Sequence, residues 1–387
     1  MMENTTFLLT NLLAHKLNNQ CEPIAFEQPD IRTVISLLQL AKKHDIMPLI
    51  GTELIDNHLI SDEKLRAKVQ DCLCETACYY EKMNYEFHWL CDLLEEAGIP
   101  FIPLKGAVLR QYYPEPWLRT SGDIDILVED TFLDTAVSLL LQKGCTLDRE
   151  KRFHDIPLIT PGGILLELHF NIRENIPSLD RVLDMVWQFS EPIPGKQYAH
   201  CQSNAFLLFH LLAHMAYHLL NGGCGIRSFI DVWLLQNNID YDSEFMQKLC
   251  AEAGIAEFYQ NVCLLTGVWF EGKQHNATSR SLEELVISGG SFGTVSNKLL
   301  IHQAQSGSKG KHMLHRVFKP YEELKEQFPA LSQKPWLAPA YQILRWCRVF
   351  TNKRLNVVMK EMRASQEHSQ DQIANISQLL EDVGLKF

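Results

Sequence analysis

Two aspartates two residues apart, Asp123 and Asp125, stand in Ser121-Gly-Asp-Ile-Asp-Ile-Leu-Val128, a run that reads as a strand. Side chains alternate across a strand, so both carboxylates leave one face while Ile124, Ile126 and Val128 take the other. Two carboxylates held this close repel each other unless a cation lies between them. Magnesium, or manganese in its place, prefers oxygen ligands together with substrate phosphates. The pair is therefore an expected platform for divalent ions holding a triphosphate.

A third carboxylate would complete such a platform. Glu167 is the best placed. In Leu165-Leu-Glu-Leu-His169 it shares a face with His169, while Leu166 and Leu168 share the other. Asp123, Asp125 and Glu167 are thus the expected metal ligands and catalytic acids. The phosphates need a grip as well. Gly106 ends a strand-like run and opens a helix, where amides can face phosphate and the missing side chain permits close approach. Lys105 or Arg119 could neutralise a phosphate oxygen. Lys105, Gly106, Arg119, Ser121, His169 and His214 form the expected nucleotide-binding set. An isolated Asp-x-Asp is common on exposed strands. Its coincidence with Gly106, Arg119, Ser121-Gly122 and a later strand glutamate is much less so.

Further along, His210, His214 and His218 recur every four residues on a helical segment. Residues at this spacing approach one another. Three readings stand: contact with nucleotide or acceptor, a zinc site, or a polar seam in which each imidazole is satisfied by a neighbour. The zinc reading would make the chain a metal-dependent hydrolase. Arg227 and Asp231 are also four apart. They suit an intrahelical pair, or an Asp231 that orients His214 or His218. Cys74 and Cys78 would share a helix face and Cys72 would not, so packing is favoured over zinc there. Arg345, Trp346 and Arg348 lie in Tyr341–Arg354, which suits a packed amphipathic helix better than a contact with RNA or an acidic partner.

The elements that must position these residues follow from periodicity. Residues 1–98 read as helical, with one-sided apolar spacing in Ile31–Ala41 and from Val69 to Leu94. Gly98 stops a helix, and Gly98–Gly106 reads as a short strand. Ala107–Tyr113 is helix-like, Ile124–Val128 a strand, and Phe132–Lys143 an amphipathic helix closed by Gly144. His154–Ile159 and Ile164–Phe170 are strands joined at Pro161-Gly-Gly163. From Ser203 the chain is helical, most clearly at Phe206–Leu220, Ser228–Gln236 and Phe245–Ala253. Ser288–Ser296 and Gln305–Lys311 read as loops, and Lys360–Asp382 as a polar helix or tail. The expected fold is α+β: a small mixed-sheet core at 99–200 between helical regions at 1–98 and 201–387.

The stretch from Leu104 to Val128, followed by Leu165–Phe170, resembles the DNA polymerase β-type nucleotidyltransferases. More closely, it resembles a bacterial group of uncharacterised nucleotidyltransferases. In that superfamily a Gly-Ser or Gly-Gly turn precedes the helix; here Lys105-Gly106 stands in its place. Asp123, Asp125 and Glu167 match the family's acids one by one. The likeness extends to His210–His218 and Arg227–Asp231, and more loosely to Arg316–Pro320 and Tyr341–Phe350. It implies transfer of a nucleoside monophosphate from a triphosphate, ATP by default, to an acceptor. That acceptor is left open among a small molecule, tRNA and a protein. A catalytically silent relative that binds nucleotide or a partner is the alternative.

Bulk properties bound the rest. The chain has 387 residues, 46% hydrophobic and 21% charged, with a formal net charge of -11. That is a globular balance able to bury a core. The acidity disfavours binding of long nucleic acid by the surface as a whole. The 11 cysteines form no framework and are expected to be reduced. The N-terminal segment lacks the basic stretch and long apolar run of a signal peptide, and no run suits a membrane span, so a cytoplasmic protein with no membrane partner is expected.

Overall fold

Asp30 accepts a hydrogen bond from the Thr33 amide and Asp62 from the Leu65 amide. Each satisfies a backbone donor that a helix start leaves free. These caps open the second and fourth of the first four helices: α1 (Met2–Leu17), α2 (Ile31–Lys43), α3 (Met47–Asp56) and α4 (Glu63–Glu96). Val34, Leu37 and Ala41 are buried along α2, as their spacing requires. The computed structural model describes residues 2–18, 28–149, 151–291, 293–306, 319, 321, 324, 328–332, 334–351 and 369–386.

After Gly98, whose φ of +69° turns the chain, come β1 (Phe101–Pro103), α5 (Lys105–Leu109), β2 (Asp123–Val128), α6 (Leu133–Gln142), β3 (Thr146–Leu147), β4 (Asp155–Ile159) and β5 (Leu165–His169). They are followed by α7 (Pro177–Leu183), β6 (Ser190–Pro192), β7 (His200–Gln202), α8 (Asn204–Leu220) and α9 (Ile226–Asn238). Helices α10 (Ser243–Ala253), α11 (Ala256–Glu271), α12 (Ala277–Gly289), α13 (Val295–Ser306), α14 (Ala338–Thr351) and α15 (Gln370–Asp382) complete the described chain.

The main sheet has the order β1-β2-β5-β4-β3. Strands β2 and β5 are parallel, and the other neighbours are antiparallel. The fold is α+β, with a mixed sheet flanked by helices. One sheet face is apolar: Ile124, Ile126, Val128, Leu158, Leu166 and Leu168 share a core with Leu90 and Leu94 of α4 and Ala136 and Leu140 of α6. Burying each such side chain contributes about 1.5–3 kcal/mol, so this face cannot turn over and the acids are committed to the other one. A larger core joins Leu9, Leu12 and Leu13 of α1 and Leu37 of α2 to Phe206, Phe229 and Phe258 of the later helices.

Several elements differ from expectation in detail. The run before Gly106 pairs only over Phe101–Pro103. The helix expected at Ala107–Tyr113 starts earlier, at Lys105, and tightens into a 3-10 turn at Arg110–Tyr112. Strands β3, β6 and β7 have two or three residues, too few to show a period. Helix α12 runs to Gly289 and α13 begins at Val295, which shortens the loop expected at Ser288–Ser296. Gln305 and Ser306 end α13, while 307–311 lie outside the described residues, as do 360–368 of the expected tail, Arg316–Pro320 apart from Lys319, and the side chains of Trp346 and Arg348. Cys72, Cys74 and Cys78 are all free thiols. Among the described residues no helix is long and apolar enough to cross a membrane.

Candidate active site

The parallel register sets Asp125 opposite Glu167 and Leu127 opposite His169. The antiparallel β4 sets Asp155 opposite His169. Directly opposed residues share a sheet face, so Asp123, Asp125, Asp155, Glu167 and His169 rise together. This polar face floors a cleft of about 640 Å³, roofed by α8 and α9 and lined among others by Lys105, His214 and Arg227. That volume falls in the range of small-molecule sites.

Asp125 is 5% exposed. Its Oδ1 lies 2.9 Å from His169 Nε2 and 3.7 Å from Lys105 Nζ. Burial alone would raise its pKa, but the Lys105 charge and the His169 hydrogen bond overcome it and hold Asp125 well below the usual carboxylate range. Asp123 goes the other way. Burial, then the charges of Asp125 and Glu167, push it up to about 6. Without a cation, Asp125 stays charged well into acid, whereas Asp123 takes up a proton at a higher pH. Glu167 is held by Arg152, whose Nη1 donates to Oε1 at 2.7 Å. The same guanidinium reaches Asp155 Oδ2 at 3.3 Å. His154 stacks on His169 with ring centroids 5.3 Å apart.

Among the described residues, Asp125, Glu167 and His169 form the group whose ligand atoms lie within 4.8 Å of one another. Two carboxylates and an imidazole fit a divalent ion. Asp123 is next to that group on β2 but not in it. His169, expected on the nucleotide side, is in the group. Among the described residues, the histidines of α8 are not in it.

The turn after β1 shows why small residues stand where they do. A Cβ on Gly106 would lie 2.6 Å from Ser121 Oγ and 2.9 Å from Arg119 Nη1, so a side chain would push the turn off the Arg119–Ser121 loop. Lys105 sits at φ +38°, a left-handed conformation that costs a residue other than glycine about 1 kcal/mol or more. It is half-buried, and although burial opposes its charge, Asp125, Glu174, Asp123 and Glu167 raise its pKa. Helix α5 has only five residues, so the turn offers close approach and an ammonium group more than a helix dipole. Ser121 Oγ donates to the Asp123 backbone oxygen at 3.0 Å.

Arg119 lines the cleft, but its Nε and Nη2 donate to the two Asp231 oxygens at 2.8 and 2.9 Å. Tyr113 Oη donates to the same carboxylate at 2.8 Å. Only Nη1 of Arg119 is left for a phosphate. The expected Arg227–Asp231 pair is therefore not formed, nor does Asp231 orient a histidine: a fork that matches both carboxylate oxygens wins over a single intrahelical contact. Arg227 instead donates to the Thr120 carbonyl at 3.1 Å and lies 3.5 Å from Asp45, facing the cleft. His210 is buried and accepts from Gln202 Nε2 at 3.1 Å, as the polar-seam reading expects of it. His214 and His218 face the cleft.

Sequence reasoning missed Glu174 and Arg227, which line the cleft, and Asp155, which is buried opposite His169. Asp155 could have been found by phase, since it lies on the polar side of β4, but only once the register with β5 was known. Glu174 follows β5 in an irregular segment and carried no signal.

The mixed sheet thus carries paired acids on the face that floors the cleft, with the Gly106 turn among the lining residues. The chain belongs to the uncharacterised nucleotidyltransferase family: the family's sequence model matches residues 33–271. That span runs from α2 to the end of α11 and leaves out Arg316–Pro320 and Tyr341–Phe350. Comparison with curated proteins and with solved structures returns no match.

Proposed function

We propose that this chain transfers a nucleoside monophosphate from a nucleoside triphosphate, ATP by default, to an acceptor and releases pyrophosphate, as a member of the DNA polymerase β-type superfamily from a bacterium. The observation that carries the reading is the β2–β5 register, which sets Asp125 against Glu167 with Asp123 on the same face. Asp123, Asp125 and Glu167, joined by His169, would hold Mg2+ or Mn2+. When bound, such an ion withdraws charge from the triphosphate oxygens and neutralises the leaving pyrophosphate.

The protein's own groups do the rest. Lys105 and Arg227 offer positive charge to the phosphates, with Nη1 of Arg119 behind Gly106. Gly106 lets the backbone approach them. Ser121 fixes the strand end that carries Asp123. The cleft aligns the acceptor with the α-phosphorus, which removes much of the entropic barrier. The acceptor is a small molecule, tRNA or a protein side chain.

A silent nucleotide-binding relative is the second reading. Its support is that Lys105 and His169 already engage Asp125 Oδ1. Both are tested by label transfer from each α-labelled triphosphate with magnesium in a cell extract, beside an Asp123→Ala, Asp125→Ala control. Transfer lost in the control supports the enzyme. Nucleotide binding without transfer in the wild type supports the silent relative.

A further inference from the structure

Facing the acids across the cleft is a second set of titratable groups. His214 and His218 lie one turn apart on α8, and Glu174 follows β5. His214 Nδ1 is 2.6 Å from Glu174 Oε1, and His218 Nε2 is 2.9 Å from His214 Nε2. The two rings meet edge-on, with centroids 4.3 Å apart and planes at 85°.

The donors available fix the hydrogens. A carboxylate has only lone pairs, so His214 Nδ1 carries a hydrogen and donates it to Glu174. Neutral His214 then presents a lone pair at Nε2. His218 Nε2 must supply the hydrogen between the rings, which leaves a bare lone pair at His218 Nδ1. Among the described residues no hydrogen bond occupies that nitrogen, and it is not one of the buried, unpartnered polar atoms. His218 lines the cleft. Burial first, then His214, pushes its pKa down to about 3, so the lone pair is free at neutral pH. A triphosphate in the cleft brings negative charge that strengthens its hold on a proton.

We propose that His218 Nδ1 is the base that takes the proton from the acceptor, with His214 and Glu174 as positioning residues, and that the acceptor nucleophile is an alcohol or phenol hydroxyl. The proposal rests on the nucleotidyl-transfer reading above. A hydroxyl is a weak nucleophile until its proton is accepted, whereas a phosphate or carboxylate acceptor is already anionic and needs no base. In the step, the acceptor O–H bond breaks and its proton goes to His218 Nδ1. The oxygen forms a bond to the α-phosphorus. The bond from that phosphorus to the oxygen bridging to the β-phosphate breaks, and pyrophosphate leaves with the electron pair. Charge on His218 is shared toward Glu174 through the two hydrogen bonds, and the proton returns to solvent as the product departs.

The test uses full-length protein, α-labelled ATP, magnesium, and glycerol and water as surrogate hydroxyl acceptors. His218→Ala is expected to lower kcat by about 100-fold or more, to leave the KM for ATP within about twofold, and to regain rate in proportion to added neutral imidazole. Rescue itself shows that the variant is folded. Glu174→Gln keeps an acceptor oxygen for His214 and is expected to lose less than Ala at 218. Nitrogen-15 coupling between the two Nε2 atoms in histidine-labelled protein reads the chain without turnover. A His218→Ala enzyme at wild-type rate, a folded one that imidazole does not rescue, or absent coupling overturns the base and leaves nucleotidyl transfer standing. A wild type that releases no pyrophosphate overturns both.

Discussion

Asp123 is held ionised at a cost, and removing its charge should reveal that cost as stability. Its pKa is pushed up to about 6 from 3.8 by burial and by Asp125 and Glu167. The folded chain thus binds this proton more tightly than the unfolded one. Stability from this group is full below 3.8 and falls as pH rises to about 6. At 1.36 kcal/mol per tenfold change, the ionised carboxylate costs the metal-free fold up to about 3 kcal/mol at neutral pH. Asp123→Asn keeps the shape and removes the charge. With a specific unfolding entropy of about 2.1 cal/mol/K per residue over 387 residues, the variant should melt roughly 4 °C higher than the wild type at pH 7.5. The gap should shrink toward zero at pH 4, where the wild type is itself protonated, and should narrow when magnesium and a triphosphate are added. Scanning calorimetry at the two pH values reads this directly. An Asn variant that is no more stable at pH 7.5, or equally favoured at both pH values, would refute the claim that carboxylate crowding is stored in this sheet.

Other perturbations test the supports of the site. Gly106→Ala should cost about 1–3 kcal/mol by overpacking and weaken triphosphate binding; unchanged melting and unchanged nucleotide affinity would contradict the close approach to Ser121. Asp231→Ala leaves Arg119 buried and unpaired and should cost about 3–5 kcal/mol, while the double change Arg119→Met, Asp231→Leu should recover much of it, as denaturant unfolding would show. His44, fully buried, accepts from the Ile226 amide at 3.2 Å, and burial pushes its pKa down to about 4 from 6.5. The neutral ring is what the fold needs, so its contribution of about 3 kcal/mol is present above pH 6.5 and lost as pH falls toward 4. His44→Gln should flatten that part of the stability profile, and an unchanged acid slope would count against it.

What the sequence disclosed, and what it withheld, follows from locality. Alternation along β2 and β5 placed Asp123, Asp125, Glu167 and His169 on the polar faces, because period two is a property of single strands. Gly106 was legible as a turn, and the Cβ contacts with Ser121 and Arg119 supply the reason. The partnership of Arg119 with Asp231 was not legible. It spans 112 positions, and four-residue spacing favoured the wrong mate. Asp155 needed a register, and Glu174 needed the path of an irregular connection. The division into helical regions about a central core was read from texture. That α1 and α2 share one core with α8, α9 and α11 is a tertiary fact with no local trace.

The central claim is that the acids of β2 and β5 direct attack at the α-phosphorus. It is tested most directly by running α-labelled and γ-labelled triphosphate in parallel with magnesium and a cell extract, for the wild type and for Asp125→Asn. The expected result is α label in the acceptor and γ label in pyrophosphate, both lost in the variant. Release of γ label as inorganic phosphate, its transfer to an acceptor, or full activity of Asp125→Asn would contradict the account.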